Sequence, residues 1–177
     1  MIRRAVETDI APLMTLINRA YRPQQGEAQG WTHESDWVDG DRMNASALYE
    51  LLDDPQQQLW VLTHATEGCV QGCVLLTAQP NHAAHVAVSI GLLTVDVALQ
   101  GQGLAKQLLA FAEQQAVLTW SAQQVSMSVL QIRTALLAFY TRHGYVYTGE
   151  QQPYPIGQGV GRPKQDLNIL MLKKVLI

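Results

Sequence analysis

Apolar and polar positions alternate along this chain with two different periods, which predicts that strands and helices follow one another. A two-residue period or a short apolar run predicts strands over 2–6, 58–64, 70–77, 85–95, 123–129 and 166–175. A helical period predicts helices after Thr8 or Asp9, over 45–52, from 104 onward and over 132–143. Three consecutive strands that lead into a helix predict an antiparallel meander followed by a β–α unit, within one α/β domain.

The clearest candidate chemistry lies where the strand 85–95 leads into the helix that begins at Leu104. The turn between them reads Gln100-Gly101-Gln102-Gly103, and its two glycines allow a sharp bend of the backbone. The first amides of the following helix have no intrahelical partner and lie at the positive end of the helix dipole. The junction therefore predicts a phosphate-binding loop.

Two common phosphate-binding motifs do not describe this loop. The chain contains no Gly-Lys-Ser/Thr sequence, so the loop is not a P-loop. In a dinucleotide fingerprint, a third glycine or an alanine would stand at Lys106, where a long side chain prevents close packing of helix on strand. The plain alternative is an ordinary strand–turn–helix junction with no ligand.

Two segments resemble signatures of the GNAT superfamily of N-acyltransferases. From Gln100 the chain reads Gln-x-x-Gly-x-Ala, which resembles the acyl-CoA pyrophosphate loop Arg/Gln-x-x-Gly-x-Gly/Ala. The segment from Arg133 to Tyr145 resembles the second signature, N-x-x-A-x-x-F-Y-x-x-x-G-F/Y, with arginine in place of the usual asparagine. The resemblance implies a GNAT-type fold, which is a mixed, mostly antiparallel sheet with helices on both faces, in a single domain of residues 1–177.

The resemblance also implies a site and a reaction, the acetylation of an amine by acetyl-CoA. The strand before the loop would be bulged near Gly91 and would splay from its neighbour, so that main-chain groups can meet the pantetheine arm. The implied cofactor-binding residues are Leu93, Thr94, Val95, Gln100, Gly101, Gln102, Gly103, Leu104, Ala105, Lys106 and Arg133. Tyr140 would be the catalytic general acid, which protonates the departing thiolate.

The acceptor side is predicted from the segment between the first two helices. Glu27, Trp31 and Glu34 of this segment, together with Glu150 of a later loop, are the candidate substrate-binding residues. They would form an aromatic, acidic wall that attracts a protonated amine, although a solvated acidic surface explains the same residues. The position near Ser128, where some family members carry a glutamate, holds no carboxylate. The general base is therefore left open among these glutamates and a chain of waters.

Composition narrows the partners and the compartment. The net charge is −3 without a basic patch, so we expect no nucleic-acid partner. No apolar run reaches the roughly 18 residues of a membrane span, and the first residues do not resemble a signal peptide. The two cysteines, Cys69 and Cys73, are too far apart along a strand for a disulfide and too few for a zinc site. We expect a cytoplasmic monomer or homodimer without a bound metal.

These observations together predict an N-acetyltransferase that moves an acetyl group from acetyl-CoA to a primary amine of a small molecule. A non-catalytic acyl-CoA-binding or regulatory protein with the same fold is the main alternative, and a nucleotide-binding structural module is a third. The presence of Tyr140 favours the enzyme. The lack of an obvious base favours the binding protein.

Overall fold

The protein alternates strands and helices, as its sequence predicts. The computed structural model describes residues 1–79 and 86–176. The strands are β1 (Ile2–Arg4), β2 (Val38–Asp39), β3 (Gln57–Thr63), β4 (Val70–Gln79), β5 (Ala87–Val95), β6 (Gln124–Leu130), β7 (Val146–Pro153), β8 (Arg162–Pro163) and β9 (Asn168–Val175). The helices are α1 (Ile10–Tyr21), α2 (Ala45–Asp53), α3 (Leu104–Trp120) and α4 (Thr134–Arg142). The turn predicted over 79–82 and the start of the strand predicted at 85 fall, except for residue 79, outside the described residues.

Seven of these strands form one sheet in the order β1-β3-β4-β5-β6-β9-β7. Every neighbouring pair is antiparallel except β5 and β6, which run parallel because α3 carries the chain across one face of the sheet between them. Strands β2 and β8 form a separate pair. The predicted mixed, mostly antiparallel sheet is confirmed.

Helices cover both faces of the sheet, which is also confirmed. On one face, α1 and α2 pack against β3 and β4 through fully buried side chains such as Leu13, Ile17 and Val61. On the other face, α3 and α4 pack through Leu108 and Tyr140. The two-residue alternation of β3 and β4 sends successive side chains to these two cores. The sheet is therefore held from both sides, which fixes the ends of its strands.

The pairing of β5 with β6 is short, and this opens the sheet at its centre. Among the described residues, only Val88 with Val125 and Ser89 with Ser126 pair in register. Beyond Ser89 the two strands separate, as the resemblance implies. From Ile90 to Val95, β5 therefore pairs with no described strand on its β6 side, and a cleft forms between the two strands.

An irregularity in β5 directs this separation. The register with β4 shifts between Cys73 and Leu75, so that β5 contains one more residue than its partner. This confirms the bulge that Gly91 predicted, but the residue at positive φ (+47°) is its neighbour Leu92. The Leu92 carbonyl accepts hydrogen bonds from Thr94 Oγ1 (3.0 Å) and Cys73 Sγ (3.4 Å). These bonds offset the steric cost of about 1–2 kcal/mol for a left-handed residue with a side chain.

Candidate active site

The loop after β5 has the geometry of an anion-binding turn. Gly101 and Gly103 both adopt positive φ, +83° and +81°, and a Cβ atom on either would meet nothing within 4 Å. Helix α3 follows at once, and its hydrogen-bond ladder begins with the Gln107 amide donating to the Gly103 carbonyl, at 3.0 Å. Within the described part of the chain, the main-chain N–H groups of residues 101–106 have no acceptor. This row of free donors at a helix start favours a phosphate ligand.

A cavity of about 390 Å³, which we call the loop cavity, lies against this turn. It is lined by most of the predicted cofactor residues, namely Val95, Gln100, Gly101, Gly103, Leu104, Ala105 and Lys106, with Leu99 and two aromatic side chains. The exposed Gln102 is not among the residues that line it. The two aromatic residues are Trp31 and Phe139, whose rings meet edge to face with centroids 5.1 Å apart. The loop cavity therefore has a polar floor and an aromatic wall.

Gln100 does not point freely at the loop cavity, because both ends of its amide group are engaged. Its Oε1 accepts from the Trp31 amide at 3.0 Å, and its Nε2 donates to the Val95 carbonyl at 3.3 Å. The Trp31 carbonyl in turn accepts from Arg133 Nη2 at 2.7 Å. Trp31 is thereby fastened by its main chain between the end of β5 and the start of α4.

The cleft between β5 and β6 contains a second cavity of about 160 Å³, which we call the cleft cavity. Its walls include Leu92 and Leu93 of β5, Ser128 of β6 and Tyr140 of α4. A narrow space of about 20 Å³ lies between the two cavities and shares Leu93 and Tyr140 with the cleft cavity and Trp31 with the loop cavity. This narrow space, which we call the constriction, thus adjoins both cavities, and Tyr140 is one of the residues that line it.

Three charged side chains near the cleft cavity form a buried ion-pair cluster. Glu34 Oε2 accepts from Arg22 Nη1 at 2.7 Å, and Glu34 Oε1 accepts from Arg133 Nη1 at 3.2 Å. All three residues are at most 8% exposed. The guanidinium of Arg22 also donates through Nη2 to the Val160 carbonyl at 3.1 Å. This cluster, Arg22–Glu34–Arg133, ties the segment after α1 to the start of α4.

Burial sets the protonation state of Tyr140. The residue is 7% exposed, and burial raises the pKa of its hydroxyl above the ordinary value of 10.0; nearby Tyr21 raises it further, and Arg133 opposes the shift. The hydroxyl is consequently a neutral proton donor at pH 7. Tyr140 and Arg133 both line the cleft cavity. The predicted helix 132–143 is shorter in the structure, and Arg133 precedes α4 with non-helical backbone angles (φ −90°, ψ 66°), so the predicted helical spacing does not account for its place.

The structure does not gather the predicted acidic wall. Glu27 is paired with Arg19 of α1 at 3.2 Å, and Glu150 is exposed on β7. Neither residue lines the loop cavity or the cleft cavity. Glu34 does line the cleft cavity, but two arginines neutralise its charge. Trp31 lines the loop cavity and the constriction. It therefore lies with the predicted cofactor residues and apart from the other predicted substrate residues.

Sequence reasoning missed several residues of the cleft cavity and its surroundings. Arg22 lies in a turn-like stretch, and Arg42 lies among acidic residues, so neither carries a local signal of its role. Tyr154 lines the cleft cavity from the loop after β7, and its hydroxyl donates to the Val160 carbonyl at 2.7 Å. Phe139 belongs to a quoted signature, and its spacing could have marked it as a site residue.

Two features are absent from the described residues. No three His, Cys, Asp or Glu side chains of this part of the chain are grouped so that they could hold a metal ion. Within the same residues, none of the helices combines the length and the apolar character that crossing a membrane requires.

Comparison with known protein families identifies the family of this chain. Residues 55–147, more than half of the chain, match the family model described as an acetyltransferase (GNAT) domain. The chain belongs to the GNAT acetyltransferase family. The matched residues contain β5, the turn at Gly101 and Gly103, α3 and α4, so the family match includes the residues that line the loop cavity, apart from Trp31. A comparison with curated protein sequences finds no match.

Solved structures share this GNAT fold at low sequence identity. An acetyltransferase of the GNAT family from Streptococcus pneumoniae superposes with a TM-score of 0.67 at 20% identity, over 99% of both chains. A ribosomal-protein-alanine N-acetyltransferase from Brucella melitensis gives 0.70 at 19% identity, over 99% of both chains. A variant of the spermidine N-acetyltransferase SpeG from Vibrio cholerae gives 0.68 at 16% identity, over 99% of this chain and 94% of that chain. The last two enzymes are named for different acceptors, so the shared fold leaves the acceptor of this GNAT protein open.

Proposed function

We propose that this GNAT protein transfers an acetyl group from acetyl-CoA to the primary amine of a small molecule, and that residues 1–177 act as one domain. The observation that carries the proposal is that the constriction, which Tyr140 lines, shares wall residues with both the loop cavity and the cleft cavity. A donor held in one cavity and an acceptor held in the other would meet at that point. The acceptor side is small, since its 160 Å³ lies below the roughly 300–1,000 Å³ of drug-sized sites.

The loop residues fit the diphosphate of coenzyme A. Among the described residues, the main-chain N–H groups of residues 101–106 have no acceptor, so they are available to a diphosphate. Gly101 and Gly103 place no side chain beside these N–H groups. Lys106 at the rim of the loop cavity adds a positive charge. The bound coenzyme would supply the activated acetyl group as a thioester.

The open edge of β5 would hold the pantetheine arm. The Asp96 amide donates to the Gln71 carbonyl, at 2.8 Å, on the β4 side. Because main-chain groups alternate sides along a strand, those of Thr94 also face β4, whereas those of Leu93 and Val95 face the open cleft. We therefore assign the arm to the main-chain groups of Leu93 and to the N–H of Val95, whose carbonyl already accepts from Gln100 Nε2. Arg133, whose two Nη atoms are held by Glu34 and the Trp31 carbonyl, is assigned to positioning instead.

Tyr140 would protonate the sulfur atom as it leaves. Tyr140 lines the cleft cavity and the constriction, and burial keeps its hydroxyl group protonated. The acceptor amine must arrive as the neutral base. Among the described carboxylates only Glu34 lines the cleft cavity, and both of its oxygens bind guanidinium groups. Water, rather than a side chain, is therefore proposed to take the proton from the amine.

Two measurements test this function. Isothermal calorimetry with acetyl-CoA tests the donor, and release of the coenzyme A thiol in the presence of a panel of small primary amines tests transfer. Binding together with amine-dependent release supports the enzyme. Binding without release for any amine would support the non-catalytic acyl-CoA-binding protein, and an absence of binding would contradict both.

The pH profile provides a first prediction. We expect kcat/KM for the acceptor to rise about tenfold per pH unit below the pKa of its amine, because only the neutral amine reacts and no side chain takes the proton. The raised pKa of Tyr140 predicts no loss of rate up to about pH 10 from ionisation of this hydroxyl. Initial rates between pH 6 and pH 10 check both parts. A fall in kcat centred below pH 10 that is absent from Tyr140→Phe would contradict the assignment.

A second prediction concerns Gly103. Valine at this position is expected to weaken coenzyme A binding about tenfold, because a side chain at φ +81° strains the turn and turns amides away from the diphosphate. Calorimetry with coenzyme A measures the effect. Gly68→Val is the matched control, since Gly68 also has positive φ (+68°) and open space but lies between β3 and β4. Equal affinities for the two variants would remove the loop from the site.

A further inference from the structure

The charged side chains of the cleft cavity are mostly positive, whereas the predicted acidic wall would be negative. Arg42 and Arg133 line the cavity together with Glu34, and Arg22 is bonded to Glu34 from behind. Two guanidinium groups pair with the one carboxylate, and Arg42 adds a third to the same cavity wall, which leaves a surplus of positive charge among these four residues. A protonated amine or a polyamine would meet this surplus unfavourably, whereas an anion would be attracted.

Arg42 carries the part of this charge that is available to a ligand. Its guanidinium carbon lies over the ring of Tyr21, 5.5 Å from the centroid, which fixes the direction of the side chain. Among the described residues, no carboxylate pairs with Arg42, whereas Arg22 and Arg133 share Glu34. No side-chain hydrogen bond of its guanidinium is formed within this part of the chain either, although its main-chain amide donates to Asn18 Oδ1 at 2.9 Å. Arg42 lines the cavity, so its guanidinium donors are available to a ligand there.

The neighbours of Arg42 do not compensate its charge. Tyr21 and Tyr154, which share the cavity wall with it, are neutral at pH 7, since burial raises the pKa of both hydroxyls. Both oxygens of Glu34 are already bound by guanidinium groups, and no described residue accepts from the buried Nε atom of Arg22, so the ion-pair cluster supplies no spare acceptor within this part of the chain. A planar fork of guanidinium donors matches the two oxygens of a carboxylate. An anionic group on the ligand would therefore complete the charge balance of the cavity.

We propose that the acceptor is a small amine that also carries a carboxylate, of the size and kind of a free amino acid, and that Arg42 binds the carboxylate. The proposal rests on the proposed function, because Tyr140 marks the end of the cavity where the amine reacts. Arg42 and Tyr140 line the same 160 Å³, so one small molecule reaches both. This assignment replaces the cationic acceptor that the acidic sequence segment predicted.

Acceptors matched in skeleton test the proposal. Each set contains an amine that carries a carboxylate, its carboxamide and the same amine without the group, assayed for acetyl transfer with kcat/KM expressed per neutral amine. The acid is expected to exceed both partners about ten- to hundred-fold, which is the effect of a charge-assisted hydrogen bond. Equal or faster reaction of the carboxamide or of the plain amine would overturn the proposal.

Variants of Arg42 connect the preference to this residue. Arg42→Gln is expected to remove the advantage of the acid by raising its KM, and Arg42→Lys to restore part of it, because the charge returns without the planar fork. Arg19→Gln is the control, since Arg19 is an exposed arginine of the neighbouring helix α1 and is absent from the cleft cavity. A preference for the acid that survives in Arg42→Gln would also overturn the proposal.

Equilibrium binding separates this inference from the proposed function. The acids are titrated into the protein by calorimetry, with and without coenzyme A, at up to about 10 mM, tenfold above the usual upper KM. Binding that Arg42→Gln weakens about tenfold supports the anion site even if no acetyl transfer occurs. If the protein binds coenzyme A and acetylates plain amines but does not bind the acids in this way, the proposed acetyltransferase function stands and only the carboxylate site is refuted.

Discussion

Replacing Tyr140 with phenylalanine is expected to lower kcat about 100-fold while the fold and the affinity for coenzyme A persist. The substitution removes one hydroxyl group and leaves the ring, which packs in the core with Phe139 and Tyr145. A thiol has a pKa near 8.5, so a thiolate leaves moderately well without help, and the benefit of a general acid falls at about 10², the lower end of its usual range. The loss appears in kcat, because the proton is needed only in the transition state.

Tyr145→Phe is the matched control for this experiment. Tyr145 belongs to the same aromatic cluster, but its hydroxyl donates to Glu113 at 2.9 Å and it lines neither the loop cavity nor the cleft cavity. Its removal is expected to cost about 1 kcal/mol of stability and to leave kcat within about twofold. Steady-state rates with the best acceptor, together with calorimetry of coenzyme A, compare the two variants. A Tyr140→Phe enzyme as fast as Tyr145→Phe would end the assignment of the general acid.

Replacing Glu34 with glutamine is expected to destabilise the protein by about 3–5 kcal/mol, the cost of removing one partner from a buried ion pair. The neutral amide would leave the guanidinium groups of Arg22 and Arg133 buried without their shared counter-charge. Both arginines are at most 8% exposed, so water cannot replace the carboxylate. Urea unfolding at pH 7 measures the free energy of unfolding of the variant and of the parent protein.

Glu27→Gln is the control for Glu34, because it breaks an ion pair of the same segment at the surface. The Glu27 side chain is 32% exposed and its partner Arg19 is 61% exposed. Exposed pairs of this kind contribute about 0–1 kcal/mol, so the control is expected to change stability little. If Glu34→Gln and Glu27→Gln cost the same, the Arg22–Glu34–Arg133 cluster is not a structural centre of this fold.

The fold and the loop could be predicted from the sequence because their signals are local. The side chains of a strand alternate every two residues, and those of a helix repeat every 3.6 residues. The glycines of Gln100-Gly101-Gln102-Gly103 indicate backbone conformations with positive φ, which residues with side chains adopt only with strain. Helical spacing was expected to place Arg133 and Tyr140 together, and both do line the cleft cavity, but Arg133 lies just before α4 with a non-helical backbone, so helical geometry alone does not explain it. The bulge was predicted at Gly91 to within one residue, since Leu92 takes the unusual φ. The position of the bulge depends in part on the neighbouring strand β4, where Cys73 Sγ donates to the Leu92 carbonyl.

The sequence by itself determined the four helices, six of the strands, the glycine turn and the spacing of the signature residues, since each depends on neighbours within about two helical turns. It did not predict β2, β7 and β8, whose pairing partners are distant along the chain. The tertiary structure alone decided the charge of the cleft. Arg133 and Glu34 are 99 residues apart along the chain, and Arg22 reaches Val160 across 138. An acidic stretch such as 27–41 therefore carries no fixed meaning until folding pairs its carboxylates. Whether a carboxylate attracts a ligand or is neutralised depends on which cations lie within about 4 Å of it, and only long-range packing sets those distances.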